Sequence, residues 1–450
     1  MNPGKMSAVF GLLLTLLTVA PAALVAQSTT RHELSLQQVV DYARKNNTQV
    51  KNALLNVKAQ QQTNRDITAS ALPNISGSVG MTDYITIPTS LIPGEVFGQP
   101  AGTYIPVQFG TKYNSTAAIQ LQQLLFDGQV FIALKARTTS IDFQQKNAEV
   151  TEEAIKTNIH KIYYQLVVSK TQIDLLDANI SRLEKLDHDT RELYKNGFAE
   201  KLDVDKVSVQ LANLRTEKTK AVNSISIGYL GLKTLIGMPV KDTLVLTDKI
   251  AEEQIREDFT NDTAYQYADR KDFQYLSLAR KLNEFNIKRY QLSYIPTLSL
   301  TGSYSKNAQR RSFDFFGKGD WFSTAYVGLN LSIPIFDGFS RDAKIKKARI
   351  DLQTTDNQID NLKLSIDSEV EQAKTNFKSA LSTLDFQKQN MKLAETVYNQ
   401  TRKKFEVGTG SNTEITAAQT DLVTAQTNYI NALYTAIIAK VDYLKATGKL

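Results

Sequence analysis

The stretch QVFIALKARTTSIDFQQKNAEVTEEAIKTNIHKIYYQLVVSKTQIDLLDANISRLEKLDHDTRELYKN, from Gln129 to Asn196, runs for 68 residues without a glycine or a proline. Those two residues are the usual helix breakers, so the run predicts one continuous helix. At 1.5 Å per residue it would extend about 100 Å, where an ordinary helix has about 11–12 residues. A second run, Phe339 to Val407, has 69 residues of the same character. Each run stops at a glycine, Gly197 or Gly408, and a return arm follows: Phe198 to about Ile236, and Ser411 to about Thr447. The pattern predicts two long helical hairpins.

Apolar spacing supports them. Ile159, Ile162, Leu166, Ser169, Ile173, Leu176, Ile180 and Leu183 step by three and four, as do Val204, Val207, Leu211 and Leu214. The last arm repeats this with Ile415, Ala418, Leu422, Ala425, Tyr429, Ala432 and Ala436. Sustained 3–4 spacing is the seam of a coiled coil. The return arms are shorter than the outgoing ones. Two other helical segments, about Leu36–Ser70 and Thr263–Ser293, supply the missing length, so each long helix should lie beside two shorter ones stacked end to end.

Both short segments end in a proline signal, Leu72-Pro73-Asn74-Ile75 and Ile295-Pro296-Thr297-Leu298, and alternation follows. Ala325, Val327, Leu329, Leu331 and Ile333 are apolar, while Gly328, Asn330 and Ser332 are small or polar. Ala117, Ile119 and Leu121 alternate with Gln120 and Gln122, and Ile75, Val79 and Met81 with Ser76, Ser78 and Thr82. Each of the four strands has about ten residues, the length of a tilted transmembrane β-strand. Aromatics collect near their ends (Tyr84, Tyr104, Phe109, Tyr113, Phe313, Phe315, Phe316, Trp321, Phe322 and Tyr326) as in an interfacial girdle. Four strands cannot close a barrel, and open edges in lipid leave backbone groups unpaired. Two or more chains must therefore share one barrel.

The N-terminus agrees with a membrane destination outside the cytoplasm. Lys5, an apolar run from Ala8 to Ala20, then Pro21, Ala22 and Ala23 read as a secretory signal peptide over residues 1–26, with cleavage fitting after Ala26 or Ala22. That run is too short to span a bilayer as a helix, and no later stretch is long and apolar enough for a transmembrane helix. The chain has no cysteine, which excludes disulfides, thiolate sites and an acylated N-terminal anchor.

Net charge is +7 but interspersed, which gives nucleic-acid binding little support. The three histidines, His32, His160 and His188, lack metal-ligand spacing, and Asp187-His188-Asp189 reads as a solvated helical face. No catalytic set, metal cluster or phosphate loop stands out, so the reading is a non-enzyme with no cofactor.

The chain is also duplicated. Leu125-Phe126-Asp127-Gly128 matches Ile335-Phe336-Asp337-Gly338 at an offset of 210, and Gly197 matches Gly408 at 211. Residues 27–240 form the first repeat, 241–262 a linker and 263–450 the second. Asp127 and Asp337 fit helix N-caps, with Gly128 and Gly338 beside them, so both turns read as structural.

The order of these features resembles the TolC family of outer-membrane efflux and secretion ducts, over about residues 33 to 448. The resemblance rests on the duplication, the paired Phe-Asp-Gly turns and a glycine turn followed six residues later by an acid. It implies a mainly α fold with a transmembrane β segment, a homotrimer sharing a 12-stranded barrel, and a long periplasmic α-barrel. It further implies an exit duct of a tripartite efflux or type I secretion system, meeting a periplasmic adaptor and an inner-membrane pump. The entrance would lie at the hairpin tips, with Gly197, Asp203, Phe405, Gly408 and Glu414 as constriction residues. Here Phe405 stands where relatives often have Tyr, Gly410 where they have Arg, and Ala417 where they have Asp. The competing reading is a coiled-coil adaptor or surface structural protein, against which stand two hairpins and strands of membrane length.

Overall fold

The structure, a computed structural model, describes residues 30–248, 252–256, 265–317 and 319–450. The expected signal peptide lies outside the described residues. In chain order the elements are β1 (Arg31–Leu34), α1 (Leu36–Asn46), α2 (Thr48–Ala69), β2 (Asn74–Asp83), β3 (Thr89–Pro93), β4 (Tyr104–Gln108), β5 (Tyr113–Phe126), α3 (Gly128–Lys195) and α4 (Lys201–Ile236). Then follow β6 (Thr243–Leu246), α5 (Glu252–Arg256), α6 (Lys271–Leu292), β7 (Thr297–Arg310), β8 (Phe322–Ser332), α7 (Ser340–Glu406) and α8 (Asn412–Ala446). The fold is mainly α, with two hairpins of about 100 Å built on helices of 68 and 67 residues.

The elements lie side by side. Along α3, one flank carries α2 and α4 and the other α6 and α8; α7 packs on α6 and α8. The main sheet repeats that order as β2-β5-β7-β8, antiparallel throughout. Both layers end in a free edge on each side. Three apolar clusters follow one another along the helices. One, at the waist, joins α1, α3 and α4 around Val39, Tyr163 and Ile236. A second joins α7 and α8 around Phe377 and Ala436. The third, toward the tips, holds Leu183, Val207, Ile415 and Leu422.

Several features differ from the sequence reading. The helix expected over 36–70 breaks at Asn47, which caps α2 through Gln49 and Val50 and donates its amide to the Leu235 carbonyl at 2.6 Å. That contact seats the end of α4, where a Cβ on Gly237 would come within 2.5 Å of the Asn46 oxygen. The linker carries β6, which pairs in parallel with β1, and α5, whose Glu252 meets Lys388 at 2.5 Å. Strands β5 and β7 reach 14 residues. Tyr104 and Phe109, expected in the girdle, belong instead to the loop that contains the β3–β4 hairpin.

The two Phe-Asp-Gly turns use different physics. Asp127 is the N-cap of α3 and accepts from the Gln129 amide at 2.7 Å. Gly128 is required by space, since a Cβ there would lie 2.9 Å from Leu292 Cβ. In the second turn Asp337 is not the N-cap. Gly338 and Phe339 both take left-handed φ, and the Asp337 carboxylate accepts from the Arg341 amide at 2.9 Å. There the glycine serves conformation, with open space around it.

Candidate functional site: a two-faced sheet and the hairpin tips

Strand register decides what the sheet can face. One face carries Ile75, Val79 and Met81, then Ala117, Ile119 and Leu121, then Leu298 and Leu300, then Val327, Leu329 and Leu331. Its charges, Asp83, Lys306 and Arg310, all stand at or near the loop end of the ladder, where a side chain can reach water. The other face carries Ser76, Ser78 and Thr82, then Thr116, Gln120 and Gln122, then Thr301, Ser303 and Asn307, then Thr324 and Asn330. No charged residue lies on that face within the paired ladder. Thr116 and Asn307 hydrogen-bond across it at 2.8 Å. An apolar face suits lipid, and a hydroxyl and amide face requires water. Aromatic pairs mark both ends: Tyr113–Phe313 at the loop side, Phe126–Phe131 and Phe336–Phe339 at the helix side.

All ten positions of β2 are exposed, and β8 is nearly so. The two run in opposite directions, so β8 of one copy can continue the antiparallel order onto β2 of another. Such head-to-tail contact generates rings.

At the far end of the hairpins, both turns are Schellman motifs. Gly197 has φ +76, with Phe198 N–H donating to the Leu193 carbonyl at 2.8 Å. Gly408 has the same φ, and Thr409 N–H donates to the Lys404 carbonyl at 2.9 Å. Six residues on, Asp203 and Glu414 both stand three residues past a helix N-cap. Ser411 and Glu414 form a reciprocal capping box, at 3.2 and 3.3 Å. The Asp203 carboxylate accepts from the Glu200 amide at 3.3 Å. The acid six residues after the glycine is thus a helix-start carboxylate in both repeats, favoured by the dipole.

A groove of about 640 Å³ separates the tips. It brings Asp203, Phe405 and Gly408 together; Gly197 and the exposed Glu414 do not line it. Phe405 is half-buried on the tip cluster. Asp189, Glu192 and Glu406 also line the groove; the sequence reading placed Asp189 on a solvated helical face and assigned the other two no role. Asn412 donates its amide to the Asp203 carbonyl at 3.2 Å and bridges the two tips. Beside them, the Arg191 guanidinium holds the Asp187 carboxyl below its usual range. At Gly410 a Cβ would lie 3.0 Å from the Phe405 nitrogen, so a side chain there requires the turn to shift. Among the described residues no group of acids, histidines and cysteines could hold a metal.

A sheet wet on one face and apolar on the other, carried on hairpins of this length, defines an outer-membrane channel subunit with a long periplasmic extension. Comparison with known proteins agrees. The model of the outer membrane efflux protein family matches residues 267–449. Outer membrane efflux protein BepC of Brucella suis is 21% identical over 96% of this chain and 90% of its own. Outer membrane protein TolC of Escherichia coli is also 21% identical, over 76% of this chain and 71% of its own. The solved structure of VceC from Vibrio cholerae shares the fold, with a TM-score of 0.71 at 15% identity, covering 92% of this chain and 96% of that one. Over most of its length the chain is thus similar to TolC-like outer-membrane efflux proteins.

Proposed function

We propose that three copies close head to tail into a 12-stranded barrel continued by a periplasmic α-barrel, and that the trimer is the exit duct of a tripartite efflux or type I secretion system. The observation that carries this is the two-faced sheet with two free, opposed edges. One copy leaves the outer edges of β2 and β8 unpaired, which lipid does not tolerate. Along the helical layer the edge helix α7 exposes Ile350, Leu364, Phe386 and Leu393, and the opposite edge exposes Val209, Val222 and Ile227 of α4. Burying these against each other would extend the ring below the membrane. Passage is passive: the duct supplies a wet wall, and a periplasmic adaptor and inner-membrane pump supply contact and energy, as in the tripartite systems of TolC-family channels. We assign residues 27–240 and 263–450 as the two repeats, joined by 241–262, because the same element order recurs.

The tips are the entrance in this reading. Glu414, with Asp203 contributing, repeats around the axis as a ring of carboxylates, and Phe405, Gly408 and Gly197 shape the constriction. The chain catalyses nothing. Alkaline carbonate extraction and heat treatment on gels test the assembly: the mature protein should stay in the membrane and run as a heat-sensitive trimer with ion conductance in planar bilayers. Release as a soluble monomer would leave the adaptor or surface-protein reading.

A further inference from the structure

The β3–β4 hairpin has little to hold it. Ile92 stands opposite Ile105 and Leu91 opposite Pro106, and neither strand joins the main sheet. A lone two-stranded hairpin is marginal in water. Yet the segment 84–112 leaves Ile85 98%, Val96 72%, Leu91 65% and Phe109 61% exposed, with Glu95 and Lys112 its only charges. On the same side of the sheet, the β7–β8 connection buries Phe315 between Phe313 and Trp321 and leaves Phe316 94% exposed. The first segment leaves from β2, one free edge; the second leads into β8, the other free edge. Head-to-tail closure sets these two apolar surfaces beside each other across every subunit boundary.

We infer that the β3–β4 hairpin of one copy seats against Phe316 of the adjoining copy, forming an apolar clasp that narrows the outer mouth of the duct. The occupant is a second copy because the surfaces continue the edges that must pair, and they lie beyond the Tyr113–Phe313 girdle, away from lipid. Pro93 and Pro106 remove ladder donors, so the contact is made by side chains and not by added strands. The inference rests on the ring reading above.

The chain has no native cysteine, which makes the test clean. Leu91→Cys/Phe316→Cys, and as a second register Phe97→Cys/Phe316→Cys, are oxidised with copper phenanthroline in outer-membrane vesicles. Covalent dimers and trimers are expected from at least one pair, and none from the single variants. Replacing residues 86–109 by a short Gly-Ser turn should raise single-channel conductance at least twofold. A heat-sensitive trimer that neither pair cross-links, or whose conductance ignores the shortened loop, overturns the clasp and leaves the ring intact. Absence of the trimer in the unmodified protein overturns the ring itself.

Discussion

Asn179 of α3 donates its amide to the Gln426 side chain of α8 at 2.6 Å, joining the two repeats inside a buried seam. Gln419 donates to the Asn179 oxygen at 3.0 Å, and Arg182 to the same oxygen at 2.7 Å. Asn179 and Gln419 are almost fully buried. A polar layer of this kind fixes register between helices at some cost in stability. Asn179→Leu strands two buried glutamines, each costing about 1–3 kcal/mol. We expect the trimer to dissociate at a markedly lower temperature on gels. The triple change of Asn179, Gln419 and Gln426 to Leu should recover most of that loss while relaxing hairpin register, read by cross-linking across α3 and α8.

Leu422 is fully buried where α8 meets the tip cluster. Leu422→Asp puts an unpaired charge into that cluster, a penalty that breaks assembly if the seam assignment is right. The neighbouring exposed Asp421 provides the control, since Asp421→Asn alters charge without touching the seam. Equal loss of trimer from both variants would refute the assignment.

The hairpins, their glycine turns and the four strands were legible because each writes a periodic or excluded-residue signal over many positions. What escaped depends on single contacts between distant residues. Asn179 and Gln426 lie 247 positions apart, and each sits beside a seam residue, so the pattern reads as a polar flank. Asn47 looks like any helix residue until its amide is seen on the Leu235 carbonyl. Asp337 shares a motif with Asp127, yet Phe339 starts its helix in a left-handed conformation that the motif does not encode. The tip acids followed the same rule: the family resemblance pointed to Asp203 and Glu414, while the gathering of Asp189, Glu192 and Glu406 needed the fold.

Gly197 and Gly408 sit at φ +76 with open space around them, and Gly410 is constrained by neighbouring atoms. Alanine at 197 or 408 should therefore cost about 1 kcal/mol through conformation alone. Gly410→Arg should disturb the turn itself. Limited proteolysis at the tips separates these outcomes: slight sensitisation for the first two, and new cleavage near Lys403–Lys404 for the third.

Burial, with Lys156 nearby, lowers the His160 pKa to about 4 from its ordinary 6.5. The folded state keeps this imidazole neutral, and the unfolded chain binds a proton below about pH 6.5. Stability is therefore fully present above that value and is lost as pH falls toward 4. His160→Gln should flatten the fall in trimer melting temperature between pH 6.5 and 4. An unchanged slope would mean that His160 is solvated in the assembly.

Glu414 carries two separable properties, its charge and its bond to the Ser411 amide. Glutamine at this position keeps an acceptor for the capping box, so Glu414→Gln removes charge alone, whereas Glu414→Ala removes both. In a symmetric entrance, like charges repeat around one axis and raise the local concentration of cations. Charges farther than about 8 Å are screened at physiological ionic strength, so the mouth governs selectivity despite the basic chain. Glu414→Gln should shift reversal potentials in planar bilayers toward lower cation preference at low salt, with a smaller shift at high salt. Asp203→Asn removes an acid that lines the tip groove beside Glu406 and should act in the same direction, more weakly if that groove faces the adaptor. If reversal potentials at low salt ignore Glu414→Gln while Glu414→Ala still lowers the melting temperature, Glu414 acts only as a helix-start residue and leaves the entrance assignment.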